Sequence, residues 1–297
     1  MNGIINLLKP PGLSSARAVS HIKRLTGEKV GHAGTLDPEA CGVLPIMVGK
    51  ATKLFDYLAE GEKCYVAVIA FGAATDTQDA TGRIIATGGS YPDLDSLSSV
   101  LPDFTGDIMQ RPPAYSAIKR EGEALYKAAR QGRLIETEPR PTTVHAIDLL
   151  GRAGEGAFCL RIRCGKGTYI RTLCHDIGQA LGCPAHMRLL IREETAGFVI
   201  ADAISLEAFE AAVLEGQSSG PWLRSMADCL SHLPQLVAPK ALWRQCVNGV
   251  ALDSSQIAGA DQLAESQAAL LFCDQQLMGI YSRSVGRLAV RSLLYEP

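Results

Sequence analysis

The sequence predicts an α+β protein, with strands and helices mixed in one large domain and a small β-rich domain after it. Two observations carry that prediction. Apolar runs of strand length recur between segments of helical period over most of the chain. After about Pro234 the pattern changes to three short strand-like runs, Ala268–Cys273, Leu277–Ser282 and Leu288–Leu294, with turn residues between them. The 297 residues also exceed the length at which one core stops growing, ~250 residues. The expected division is therefore 1–234 and 235–297.

Ile4–Leu8 reads as a strand stopped by Lys9-Pro10-Pro11-Gly12, after which Ser14 or Ser15 caps a helix carrying Val19, Ile22 and Leu25 on one face. Gly31–Gly42 holds too many Gly and Pro breaks for a helix. Val43–Val48 is a short strand, and Ala51, Leu54, Phe55 and Leu58 mark an amphipathic helix. Lys63–Phe71 is strand-like, Asp76–Gly82 a polar loop, Arg83–Thr87 a strand and Leu94–Leu101 a helix. Residues 106–140 are basic, Pro-flanked and poor in apolar residues, so they read as an insertion with a helical centre at Glu121–Arg130. Thr142–Leu150 and Phe158–Cys164 are strands, and Tyr169–Leu181 and Leu206–Leu214 are helices.

Composition removes several classes. Apolar residues make up 47% and charged residues 20%, which excludes a disordered chain, a collagen-like repeat and a disulfide scaffold. No run approaches the ~18 apolar residues of a membrane span. The apolar run after Met1 has no basic residue before it and is too short for a signal peptide. Nine cysteines without a CxxC pair then predict free buried thiols, no metal site and a cytoplasmic location. The net charge of −2 conceals an uneven distribution. Arg111–Arg133 holds six basic and two acidic residues, and Arg152–Arg171 five and one. Two basic stretches on a near-neutral chain fit a polyanion bound by part of the surface, although solvated helix faces give similar runs.

Four segments carry chemistry. In Gly31-His32-Ala33-Gly34-Thr35-Leu36-Asp37-Pro38 a carboxylate is held in a loop where a helix cannot continue. An ordinary Asp-Pro merely caps a turn, but an ionised Asp on such a loop is also a ready nucleophile. Gly167-Thr168-Tyr169-Ile170-Arg171 leads from a strand into a helix, presenting an aromatic and a guanidinium at its entrance. Lys63–Tyr65 opens a strand, where Tyr is usually packing. Arg111-Pro112-Pro113-Ala114-Tyr115-Ser116-Ala117-Ile118-Lys119 interleaves basic and aromatic residues, as phosphate contact with base stacking requires. Gly49-Lys50 is not a phosphate loop, because Ala51 follows the Lys and Leu44 stands where the first Gly belongs.

Together with Lys9–Ser15 and Thr75–Asp79, these motifs stand in the order and spacing of one family. The sequence resembles the bacterial TruB-type tRNA pseudouridine-55 synthases, most strongly over residues 1–200. The resemblance implies the pseudouridine synthase fold: a mixed, largely antiparallel sheet flanked by helices, crossed by a cleft, with a small C-terminal PUA-like β domain. It implies isomerisation of a uridine in the T-stem-loop of tRNA, a redox-neutral change that calls for no cofactor and no metal. Asp37 would be the nucleophile, Arg171 its ion-pair partner, and Tyr65 the residue stacked on the flipped base, with a part in proton transfer. Tyr169 and Leu190 would complete the pocket, His32 would fill the place the base left or support its neighbours, and Lys9 and Pro10 would buttress the loop. The 106–140 insertion would clamp the RNA through Arg111, Tyr115, Lys119 and Arg130. Ile191 departs from the Arg that usually follows the pocket Leu, with Arg192 next, and Gly165 stands where Ser is common. The resemblance further implies a monomer without an obligatory protein partner.

Two other readings use the same residues. A tRNA-folding chaperone would need the basic surface and no chemistry, yet has no need of Asp37, Arg171, Tyr65 and Tyr169 together. A hydrolase built on Asp37 lacks a second carboxylate at a recognisable spacing.

Overall fold

The computed structural model describes residues 1–116, 118–120, 123–133, 135 and 137–296. For 119, 120, 124, 126, 127 and 130 it describes the backbone alone. Strand β1 (Gly3–Lys9) leads to helix α1 (Ser15–Thr26), β2 (Val30–His32) and β3 (Cys41–Val48). A 3-10 turn and α2 (Phe55–Ala59) precede β4 (Lys63–Phe71), the hairpin β5 (Ala73–Thr75) and β6 (Ile84–Thr87), and α3 (Leu94–Val100). Then come β7 (Gly106–Gln110), β8 (Lys119–Arg120), β9 (Glu123–Ala124), α4 (Leu125–Arg130), β10 (Arg140–Arg152) and β11 (Ala157–Cys164). Helix α5 (Ile170–Ala180) is followed by β12 (Ala185–Thr195), β13 (Phe198–Val199), β14 (Ile204–Ser205), α6 (Leu206–Leu214) and β15 (Leu223–Arg224).

These strands build an eleven-stranded sheet whose spine runs β14-β1-β3-β12-β4-β11-β10-β7. Along that spine only β14/β1 and β3/β12 pair in parallel, so the sheet is mixed and largely antiparallel, as expected. The two-residue period of the strands divides their side chains between two cores. Ile5 and Leu7 of β1 and Leu44, Ile46 and Val48 of β3 enter the larger core with Ala18 and Ile22 of α1 and Leu173 and Ile177 of α5. Ile4, Val43 and Met47 point the other way, into a cluster shared with Leu230, Leu270, Ile280 and Leu294. That second cluster joins the large sheet to a five-stranded sheet formed by β16 (Gln235–Ala238), β17 (Leu252–Asp253), β18 (Ala268–Cys273), β19 (Gln276–Ser284) and β20 (Arg287–Leu293).

Ser14 caps α1, its side chain accepting from the Arg17 N–H, and Gly27 closes the helix in the left-handed region. Two expectations need correction. Residues 106–110 do not belong to an insertion: β7 pairs with β10 at the sheet edge. The helix of that region spans Leu125–Arg130 rather than Glu121–Arg130, and Glu123 pairs back onto Arg120 in a small hairpin. The sequence reading also missed β12, the strand between β3 and β4. Its segment AHMRLLIREET has few β-branched residues and two register shifts, so no clean alternation shows. The two shortest strands of the terminal sheet were missed because nothing in two to four residues separates a strand from a loop.

Gly42 opens the β3/β12 pairing with φ +107°, and a Cβ there would lie 2.2 Å from the Arg192 carbonyl oxygen. Gly42→Ala is therefore expected to destabilise the fold by at least ~2 kcal/mol, read as a lower urea-unfolding midpoint at unchanged slope.

Candidate active site

The loop bearing Asp37 is pinned on both sides of that residue. The Ser15 hydroxyl donates to the Leu36 carbonyl (2.9 Å) and accepts from the Leu36 N–H (3.0 Å). Lys9 is fully buried, and its Nζ donates to the carbonyls of Pro10 (2.8 Å), Leu13 (2.6 Å) and Pro38 (3.0 Å). The loop thus cannot rotate Asp37 without breaking buried hydrogen bonds. Lys9 sits behind the loop and Pro10 contributes its carbonyl; neither lines the cleft.

Arg171 approaches Asp37 from the first turn of α5. Gln110 fixes the helix entrance, accepting from the Tyr169 N–H (2.9 Å) and donating to the Tyr169 carbonyl (3.3 Å). The Arg171 Nε lies 3.0 Å from Asp37 Oδ2. Its Nη1 donates to the Thr77 carbonyl (3.2 Å) and its Nη2 to the Tyr115 carbonyl (3.0 Å). Asp79 stands 3.6 Å from Nη1, and its other oxygen accepts from the Thr77 hydroxyl (2.8 Å) and from the N–H and hydroxyl of Thr81 (2.9 and 2.6 Å). The polar 76–82 loop therefore frames the guanidinium. The Arg171 side chain is 6% exposed and that of Asp37 39%, so the cation is fixed behind and the carboxylate faces the opening.

That opening is a cleft of about 300 Å³ lined by Asp37, Tyr65, Tyr169, Arg171 and Leu190 among others. Five of the residues singled out in the sequence are thus brought together from two loops, two strands and a helix. His32 lies outside the lining, on β2 opposite Ile46, with its Nδ1 buried and unpartnered among the described residues. Burial and the nearby Arg192 push its imidazole below the ordinary range, toward the neutral form. Arg111 is exposed, and Tyr115 reaches the site through its carbonyl. The side chains of Lys119 and Arg130 lie outside the described residues. Sequence reasoning missed Ser116, Arg192 and Asp79 as site residues. Arg192 and Ser116 line the cleft and are buried, and the charge of Arg192 inside a strand was the one available signal.

Burial pushes the Asp37 carboxyl above its ordinary range, and the opposing pull of Arg171 does not fully cancel it. Burial likewise raises the Tyr65 and Tyr169 phenols. It lowers Lys63, and it lowers Lys9 to about 8. The cleft therefore offers one aimed carboxylate, two aromatic side chains, one aliphatic wall and several cations, a set suited to an uncharged aromatic ring attached to an anionic backbone.

The architecture around this site is that of RNA pseudouridine synthases. A chain of the solved Cbf5–Nop10–Gar1 complex superposes with a TM-score of 0.74 at 27% identity, over 99% of this chain and 85% of that one. Residues 22–170 match the family model described as "TruB family pseudouridylate synthase (N terminal domain)", and residues 171–239 match "tRNA pseudouridylate synthase B C-terminal domain". The protein named tRNA pseudouridine synthase B of Alkaliphilus oremlandii is 38% identical over 280 residues, 94% of this chain and 92% of its own. Its namesake from Dehalococcoides mccartyi strain 195 is 40% identical over 252 residues, 84% and 83% of the two chains. The chain belongs to the TruB family of pseudouridylate synthases and is an RNA-modifying isomerase.

Because its folded-state pKa is raised, Asp37 favours folding when protonated, and that contribution is lost as pH rises through the folded value. Asp37→Asn is therefore expected to melt at a higher temperature than the parent at neutral pH. The advantage should shrink as pH falls through the raised folded value and be gone below the ordinary carboxylate value, about 3.9. Paired thermal melts across pH read this out.

Proposed function

We propose that this enzyme converts uridine 55 in the T-arm loop of tRNA to pseudouridine, with Asp37 as the essential nucleophile. The supporting observation is the Asp37–Arg171 pair, 3.0 Å apart, set at the mouth of a cleft with Tyr65, Tyr169 and Leu190 on its walls. The isomerisation breaks the bond from ribose C1′ to N1 of the uracil, turns the ring and joins C1′ to C5. No electrons are gained or lost and nothing is hydrolysed, so the reading includes no cofactor. The base must first leave its stack, which costs a few kcal/mol, and Tyr65, Tyr169 and Leu190 offset this by covering both sides of the ring. Arg171 keeps Asp37 aimed and favours its charged form against the effect of burial. Attack on the ring, attack on the sugar and elimination to a glycal all demand that same ionised carboxylate.

In this reading residues 1–234 form the catalytic unit and 235–297 a PUA-like RNA-binding unit. Lys9 and Pro10 buttress the catalytic loop, His32 supports the space vacated by the base, and the segment after β7 clamps the RNA arm through Arg111, Tyr115, Lys119 and Arg130. The enzyme acts in the cytoplasm as a monomer without an obligatory protein partner.

Asp37→Asn should lower tritium release from 5-tritiated uridine in T-arm RNA by at least ~10³-fold while RNA binding survives. Turnover in the variant close to that of the parent would remove the mechanism; wild-type protein that folds tRNA and releases no tritium would make it a chaperone. RNA affinity should fall steeply between low and high salt as phosphate contacts release counterions. A flat response in a filter-binding titration would contradict the basic clamp.

A further inference from the structure

One charged group near the cleft has no part in the mechanism so far. Arg192 is fully buried, yet its side chain lines the cleft. Its Nε donates to the Val43 carbonyl (2.8 Å) and its Nη2 to the Gly34 carbonyl (2.9 Å). Among the described residues no carboxylate lies within ion-pair distance of it. A buried guanidinium held by neutral carbonyls alone is expensive, because nothing compensates its lost hydration with an opposite charge. Such a charge is retained where it acts on a neighbour.

That neighbour is fixed by the sheet. Arg192 on β12 and Tyr65 on β4 are direct cross-strand partners, and both side chains reach the same cleft. The charged and titratable groups that act on the Tyr65 phenol are Arg192, Cys164 of β11 and Asp37 of the catalytic loop, with Lys63 two residues back on its own strand. Cys164 is held neutral by burial, its thiol pushed up to about 11. Lys63 is committed to the carbonyls of Ala59 (3.3 Å) and Gly61 (2.6 Å). Arg192 is thus the cation paired with Tyr65 across the strands.

We propose that Arg192 is a positioning residue for Tyr65: it holds the tyrosine oxygen toward the bound base and stabilises its anionic form, so that Tyr65 can take the proton from C5 in the last step. The inference rests on the function proposed above. The step balances within the active site. The phenolate accepts the C5 proton, the electron pair of the C5–H bond becomes the ring C5=C6 bond, and the pair of the C6=N1 double bond moves onto N1, which takes a proton from water while the phenol returns its own proton to water between turnovers. Burial opposes formation of the phenolate and Arg192 favours it. The fork of an arginine suits this position, since it can grip two carbonyls and still face a third oxygen.

The test uses full-length protein and T-arm RNA carrying uridine or 5-deuterated uridine at the target. Arg192→Gln should lower the single-turnover rate at neutral pH by about tenfold or more, with RNA affinity changed by less than about twofold. A primary deuterium isotope effect should grow, and the limb of the rate profile that rises with pH should move upward. Arg192→Lys should recover part of the rate by restoring the charge. In a Tyr65→Phe background Arg192→Gln should cost nothing further. Equal loss in that background, or loss with no change in isotope effect or pH profile, would overturn the proposal. Should Arg192→Gln fail to fold, 3-fluorotyrosine at position 65 of the otherwise unchanged enzyme carries the test. Its more acidic phenol must move the same limb downward, and a stationary limb overturns the proposal. Wild-type enzyme that releases no tritium would instead sink the function proposed for the site, so the two failures are distinct.

Discussion

A carboxylate can be both reactive and fixed only if its counter-ion is held more rigidly than itself. Here the guanidinium of Arg171 meets that condition. Two main-chain carbonyls and Asp79 occupy its remaining donors, and its backbone lies in the first turn of α5, whose entrance is gripped by Gln110. Asp37 then has one low-energy orientation, although more than a third of its side chain is open to solvent. The pair is asymmetric by construction, with an immobile buried cation and an accessible anion. Remove the framing loop at 76–82 and the cation would be free to follow the anion outward, leaving neither placed.

The second constraint is the central position of β4 and β12. Each is flanked on both edges, so their inward residues cannot shift without disturbing neighbouring ladders. Tyr65, Leu190 and Arg192 occupy these strands and inherit their rigidity. These walls of the cleft are therefore sheet, while Asp37 and Tyr169 enter it from loops.

Much of this was legible in the sequence, for identifiable reasons. β4 and α6 fall where they were expected, because an unbroken apolar run and a helical period are strong local signals. Asp37, Tyr65, Tyr169, Arg171 and Leu190 were found through the resemblance and converge on one cleft. No local property of residues 37 and 171 would have paired them across 134 positions of chain. β12 was illegible because its arginines and glutamates break the alternation, and those same charges include the buried Arg192. Ser14 and Ser15 satisfy the capping rule equally, but Ser14 caps and Ser15 clamps Leu36. Local capping rules cannot separate adjacent serines when a distant loop decides between them.

The apolar cluster that unites Ile4, Val43 and Met47 with Leu270, Ile280 and Leu294 does more than bury surface. Together with the bond from Lys53 Nζ to the Leu293 carbonyl (2.8 Å), it welds the terminal sheet to the back of the large one. The molecule therefore works as a caliper with a locked hinge: the span from cleft to terminal sheet is set by packing, and any ligand that touches both ends must bring the matching length itself.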